Sequence, residues 1–493
     1  MAAGGCTVGP AFKRPQAPAA GSYTATAMPA KTESAPVAWG AAQCFREAAG
    51  IQAEWWRLFH SPGLDRLMRM ALARSRTLAA ARAALNEAYE NERSQAGALY
   101  YPKIDAKGAA TRQKFSGASF GQPGAPGIIF NLFNASATVS YLFDIFGGSR
   151  RTVEALEAQI DYQRFQLEGA YVTLTANIVT TAVQEASADA QIRATREILA
   201  IQEDQLGIVR RQFRLGGASL PDVLSQKTQL AQTRATLPPL EKALSVARHQ
   251  LAVLAGTLPA NAGGLPEFRL DGLRLPRQLP VSLPSRLIRQ RPDIRASEAL
   301  LHAASAQIGV ATANMLPQLT FTGSIGSETT KVEDLFGSNT SVWSLGMSLL
   351  QPVFHGGELT AKRRAAVAAY EQALAQYQET VLEAFQNVAD ALRALDRDAA
   401  TLKAQAEAWA AARGTLDITQ KQYRLGAVSY LALLNAQRQY QQTRIGLIQA
   451  QAARFADTAA LFQALGGGWW NRAAAEGAQA MAGGKKPAER GRL

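Results

Sequence analysis

The sequence predicts a mainly α fold with a minority of β-strands, built as an internal duplication around very long coiled-coil helices. Residues 211–234 align without gaps to residues 421–444, with ten of the 24 positions identical. A repeat at a spacing of about 210 residues is a duplicated domain rather than a solenoid of short units. In the second half, apolar or small residues recur at Val381, Phe385, Val388, Leu392, Leu395, Ala399, Leu402, Ala406 and Trp409. Steps alternating between four and three residues are a heptad, the pattern of coiled-coil packing. Ahead of each long helix the period changes to two. Phe133, Ala135, Ala137, Val139, Tyr141 and Phe143 alternate with a face rich in Ser, Thr and Asn, which reads as strand.

These patterns place the elements in order. Residues 1–50, rich in Pro, Ala, Gly and Ser, form an extended strap without a core of its own. The first repeat, 51–275, holds a helix, strands 103–115 and 131–145, a long helix 148–215 and a returning helix 220–255. The second, 276–468, repeats the plan with helix 285–314, strands 317–328 and 341–353, long helix 356–425 and helix 430–464. Pro102 and Pro317 close the short helices and open strands, where a missing N–H costs no ladder bond. Phe146-Gly147-Gly148 corresponds to Phe354-His355-Gly356-Gly357, each opening a long helix, and Asp144 just before is placed to cap it. No proline interrupts 356–425, a rod of about 100 Å at 1.5 Å per residue. Residues 469–493 read as a disordered tail, with Trp469 and Trp470 as an interfacial anchor or a packing contact.

Composition narrows the function classes. At 47% apolar residues the chain buries a large core. The formal charge of +13 is spread over 493 residues, which suits a mildly basic protein better than a nucleic-acid binder. No run of 18 apolar residues occurs, so a transmembrane helix is excluded. Two cysteines, Cys6 and Cys44, cannot make a disulfide framework or a cysteine zinc site. His60, His249, His302 and His355 stand far apart with no ligand spacing, so neither metal nor cofactor is expected. With no nucleophile elbow, P-loop or carboxylate pair, the chain does not read as an enzyme.

The small polar face of the strands leaves two readings. An ordinary sheet buries its apolar face and wets the other; a membrane barrel turns the apolar face to lipid and the polar face to a lumen. Strands of this length match the roughly 9–11 residues that cross a bilayer. Two hairpins cannot close a barrel, since even small ones need about eight strands. Open edges in lipid leave backbone groups unpaired. If the strands span a membrane, several chains share one barrel, and three copies supply twelve strands.

Several motifs together resemble a known family. They are Cys6-Thr-Val-Gly-Pro10 with Lys13-Arg14-Pro15, Trp55-Trp56-Arg57-Leu58-Phe59 followed by Pro62 and Leu64, Leu283-Pro284-Ser285, and Arg291-Pro292-Asp293-Ile294-Arg295. To these the paired turns Phe213-Arg214-Leu215-Gly216 and Tyr423-Arg424-Leu425-Gly426 are added. The chain resembles the outer-membrane factors of tripartite efflux systems, TolC-like channels of the OprM/NodT lipoprotein branch, from Cys6 to about Gly468. The resemblance implies a homotrimer with a 12-stranded transmembrane β-barrel in outer-membrane lipid and a long α-helical coiled-coil barrel in the periplasm. Its partners are then a periplasmic adaptor and an inner-membrane pump of the resistance-nodulation-division class, with no nucleic acid. Export of small molecules is favoured over type I protein secretion or metal-ion efflux; a coiled-coil scaffold has no use for such strands.

Site residues follow from the same resemblance. Cys6 is the lipid-attachment position, following small residues of the kind a lipoprotein signal peptidase accepts. The five residues ahead of it hold neither a basic nor an apolar leader region, so acylation requires a longer leader. Arg214, Leu215, Gly216, Arg424, Leu425 and Gly426 are the adaptor-docking tips. The glycines have in addition the plain role of helix C′ residues at positive φ. Ser219-x-x-Asp222 is a capping box on the returning helix. Asp222 and Asn435 are assigned to the periplasmic aperture; Ala432 stands opposite Asp222, and Asn435 takes a position where the family often has a carboxylate.

Overall fold

The computed structural model describes residues 7–472, apart from Gly117, Ser119, Phe120, Gln122, Pro123 and Ala125. Cys6 and residues 473–493 lie outside the described residues. In chain order the elements are β1 (Cys44–Glu47), α1 (Pro62–Arg74), α2 (Arg76–Tyr100), β2 (Lys103–Phe115), β3 (Ile128–Phe143), α3 (Gly148–Arg214), α4 (Leu220–Ala235) and α5 (Leu237–Leu254). There follow β4 (Gln278–Val281), α6 (Pro284–Gln290), α7 (Pro292–Ala313), β5 (Gln318–Thr329), β6 (Ser341–Leu350), α8 (Glu358–Arg424) and α9 (Tyr430–Ala464).

Several boundaries differ from expectation, and proline explains most of them. Helix 220–255 is two helices, because Pro238 and Pro239 cannot donate into a continuous ladder. Helix 285–314 divides at Arg291-Pro292, the residue before a proline being driven out of the α region: Arg291 has φ −83 and ψ 125. Strand 341–353 stops at Leu350, ahead of Pro352. Strand 131–145 instead runs from Ile128 to Phe143, since Asp144 leaves the ladder to cap α3. The first residues of the expected tail, 469–493, are ordered, and the rest of it lies outside the described residues. Trp469–Asn471 form a 3-10 turn, with Trp469 Nε1 donating to Gln290 O at 2.7 Å and Asn471 Nδ2 to Ile51 O at 2.6 Å. The parallel pair β1–β4 was not expected. Four residues in each strand give too short a run for an alternation to register.

The chain forms two compact units that cut across the repeats. The first comprises Met1–Pro15, Ala83–Arg164 and Ala296–Gln378. Its centre is a four-stranded antiparallel sheet in the order β2-β3-β5-β6. The register keeps the two faces in phase across all four strands. Ile104, Val139, Gly323 and Leu345 lie in one row; so do Asp105, Thr138, Ser324 and Ser344 on the opposite face. Tyr141, Phe321 and Met347 extend the apolar face, and Trp343, Leu345, Met347 and Leu349 are all well exposed. The outer edges of β2 and β6 have no strand partner among the described residues.

The second unit comprises Gln16–Arg82, Phe165–Arg295 and Glu379–Leu493. Its core stacks Trp55 on Phe462 at 5.0 Å between ring centroids, with Phe59 and Phe455 beside them. Along α8 the heptad stripe is the buried face: Val381, Val388, Leu392, Leu395, Ala399, Leu402 and Ala406 are buried, and Phe385 and Trp409 partly so.

Candidate functional site

Both long helices end in the same turn. At the first, Gly217 N donates to Gln212 O at 2.8 Å and Gly216 N to Phe213 O at 3.1 Å. At the second, Ala427 N donates to Gln422 O at 2.9 Å and Gly426 N to Tyr423 O at 3.0 Å. These are Schellman closures, and Gly216 and Gly426 take the left-handed position at φ +76 and +73. A closed turn frees the residue before the glycine, so Leu215 and Leu425 stand 87% and 84% exposed. Arg214 and Arg424 are exposed alongside. Each turn thus holds a large apolar side chain exposed beside a cation.

The returning helices are capped unequally. Ser219 and Asp222 form the complete capping box: Asp222 Oδ2 accepts from Ser219 N at 2.9 Å, while Ser219 Oγ accepts from Asp222 N. Ser429 accepts from Ala432 N at 3.3 Å, but Ala432 has no carboxylate to return the bond. Asn435, one turn further on, is exposed.

Contacts between the two hairpins were not anticipated. The Tyr430 hydroxyl donates to Gln226 Oε1, and Gln226 Nε2 donates to Gln202 O at 2.9 Å. The Tyr423 and Tyr430 rings lie 5.4 Å apart. Burial, with Asp222 nearby, pushes the Tyr423 phenol above its ordinary range; burial, Tyr423 and Asp222 do the same to Tyr430. Both phenols therefore stay protonated donors. The only sequence signal was an aromatic on each side of the second turn, and an aromatic by itself says nothing about its partner.

At the foot of the sheet Asp144 does what its position predicted. Its carboxylate accepts from Ser149 N at 2.9 Å and Arg150 N at 3.1 Å, and from Arg150 Nε at 3.0 Å. A carboxylate on free N–H groups at a helix start also suits the helix dipole. Residues 7–14 of the strap lie against this foot. Val8 N donates to Phe146 O at 3.0 Å, Arg151 Nε to Val8 O at 3.1 Å, and Arg14 pairs with Glu298.

The class these features define is a subunit with a four-stranded sheet, one face apolar and one hydroxyl-rich, and long helices that end in exposed apolar turns. The chain belongs to the outer membrane efflux protein family, whose model matches residues 67–257 and 283–467. It is 32% identical over 443 residues to the pyoverdine export outer membrane protein OpmQ of Pseudomonas aeruginosa, covering 88% of this chain and 92% of the relative. To the probable efflux pump outer membrane protein TtgC of Pseudomonas putida it is 29% identical over 472 residues, covering 95% and 94%. The solved outer-membrane channel OprN superposes with a TM-score of 0.83 at 27% identity, over 94% of this chain and all of that one. The protein is accordingly an outer-membrane efflux channel with the TolC-like fold.

Proposed function

We propose that three copies close one 12-stranded barrel in the outer membrane, continue it as a helical tube into the periplasm, and serve as the passive exit duct of a three-component pump. In this reading an inner-membrane pump selects and drives the substrate, and an adaptor seats on Arg214, Leu215, Arg424 and Leu425. Acylation at Cys6 adds a lipid anchor. Small organic molecules are the substrate class, in line with the pyoverdine export and efflux pump relatives.

The carrying observation is a mismatch between corresponding surfaces in the first unit. The α3 foot is covered by α7: a Cβ at Gly148 would lie 3.0 Å from Ala313 Cβ. Along α7, Leu301, Ala306 and Ile308 are buried. The matching foot of α8 is bare, with Val353 and Phe354 90% and 87% exposed and open space around Gly356 and Gly357. The helix that corresponds to α7 is α2, and Leu78 is its one buried residue. A duplicated chain with one bare foot and one bare helix satisfies both by packing its α2 on the α8 foot of the next copy, and the β2 and β6 edges pair in the same step.

The test expresses the chain, with a leader, in a host lacking its own outer-membrane exit channel but holding pump and adaptor. Trimers by crosslinking and restored dye efflux are expected, and Phe354→Asp removes both. Monodisperse folded monomers with no outer-membrane fraction would refute the reading.

A further inference from the structure

The segment Arg269–Arg295 holds seven arginines and two aspartates, so it carries +5 of the chain's formal +13. Arg269 pairs with Asp271 at 3.5 Å, Arg291 with Asp293 at 2.5 Å, and Arg295 lies over the Phe165 ring at 4.9 Å. Arg274 and Arg277 are exposed and have no ion pair among the described residues. Both border a cleft of about 690 Å³ in the second unit, together with Trp39, Gln43, Leu58 and His60, and no carboxylate lines it.

The cleft is rigidly built. Trp39 and His60 sit at φ +57 and +51, two of only four non-glycine residues at positive φ in the described chain. Such conformations persist only where the surroundings impose them, and they gather at ligand sites. Here Arg454, wholly buried, donates to Trp39 O at 2.6 Å, Ala41 O at 3.0 Å and Gln43 Oε1 at 3.0 Å. Trp39 Nε1 donates to Leu273 O at 3.1 Å. Gly40 admits no side chain, because a Cβ would lie 2.2 Å from Ala35 O. On the other wall Arg274 N donates to Phe59 O at 2.9 Å, and His60 Nδ1 donates to Leu58 O at 2.8 Å. An indole whose N–H is already bonded offers its flat apolar surface; two unpaired guanidinium groups beside it offer planar forks for anions.

We propose that the cleft bounded by Trp39, His60, Arg274 and Arg277 binds an acidic saccharide, a sugar ring lying on the Trp39 indole while its carboxylate is held by the two arginines. An acidic peptide or free phosphate would use the cations but leave the indole idle. A neutral glycan would use the indole but leave two cations without a partner. If the protein stands in the periplasm as proposed above, such a site tethers the channel to an anionic glycan.

Calorimetric titration of the full-length trimer in detergent tests this with the disaccharide N-acetylglucosaminyl-N-acetylmuramic acid and its methyl ester. The acid is expected to bind saturably, with the ester weaker by about tenfold or more and the affinity falling at about 0.5 M salt. Arg274→Gln with Arg277→Gln, both at exposed positions, is expected to weaken the acid by about tenfold while leaving dye efflux intact. Trp39→Leu weakens the disaccharide acid but not a triglutamate peptide. Equal binding of acid and ester overturns the proposal. So does wild-type affinity in the double arginine variant, or triglutamate or inorganic phosphate matching the acid. Absence of saturable binding also overturns it, and because efflux is read separately, that failure leaves the exit-duct reading standing.

Discussion

The Tyr423 hydroxyl donates to Gln212 Oε1 over 3.2 Å, joining the last turn of α8 to the last turn of α3. Three more bonds cross between the hairpins: Tyr430 to Gln226, Thr233 Oγ1 to Gln441 Oε1 at 3.2 Å, and Gln449 Nε2 to Gln191 Oε1 at 3.1 Å. All are neutral. The ion pairs nearby, Arg196–Glu241 at 2.8 Å and Arg234–Glu203 at 2.6 Å, lie within the first hairpin. Charge stiffens that hairpin, while uncharged groups close the seam.

Removing the phenolic hydroxyls should therefore loosen the seam without unfolding the hairpins. A neutral hydrogen bond contributes about 0.5–1.5 kcal/mol, so Tyr423→Phe with Tyr430→Phe shifts the balance toward open by roughly 1–3 kcal/mol. The expected result in planar bilayers is a higher open probability of purified trimers, by about tenfold. Wild-type openings should vary little with salt, since no ion pair crosses the seam among the described residues. An unchanged open probability in the double variant counts against this role.

At the tips, Arg214→Glu with Arg424→Glu is expected to abolish efflux while trimer content stays normal. Both side chains are exposed, so folding tolerates the change. Their contribution to the helix C-terminal dipole is only a few tenths of a kcal/mol. Resistance, adaptor crosslinking and trimer content are to be measured in the same cells. Normal resistance with normal crosslinking would refute docking at these turns.

Burial, then a hydrogen bond that the protonated Asp457 donates to Asp398, and the charge of Asp398, push the Asp457 carboxyl up to about 7. Arg454 is the cation that feels Asp398 from the same packing. A raised carboxyl holds its proton in the folded state where the unfolded chain has lost it. The stability it lends is present at low pH and lost as pH rises from about 4 toward 7. Asp457→Asn should thus raise the melting temperature at pH 8 relative to wild type, on the order of 2 °C, by less at pH 5, and change it little at about pH 4. Equal effects at pH 8 and pH 4 would remove the pair from the account.

Expressed behind a lipoprotein signal peptide, the chain should incorporate a palmitate analogue at Cys6, and Cys6→Ala should lose the label yet still insert through its barrel. Each buried CH₂ of the acyl chain adds about 0.8 kcal/mol of anchoring, whereas the strands supply the pore. Absence of label in a host with intact lipoprotein processing would exclude acylation.

Periodicity alone determined the fold class, because both periods report burial directly. The α8 heptad became the buried face, and the alternation at Phe133–Phe143 became one in-phase face of a four-stranded sheet. The repeated Arg-Leu-Gly turns and the Ser219–Asp222 capping box were legible for a related reason: each is set by backbone geometry within a few residues. Tertiary structure decided everything that joins distant segments. Tyr423 meets Gln212, Tyr430 meets Gln226, and Arg454 fixes a strained Trp39 only because separate stretches of chain pack together, and no local pattern encodes a partner hundreds of residues away. The bare α8 foot likewise has the same local sequence character as the covered α3 foot. Only packing, which gives α3 its α7 and leaves the α8 foot exposed, reveals the surface on which the proposed assembly rests.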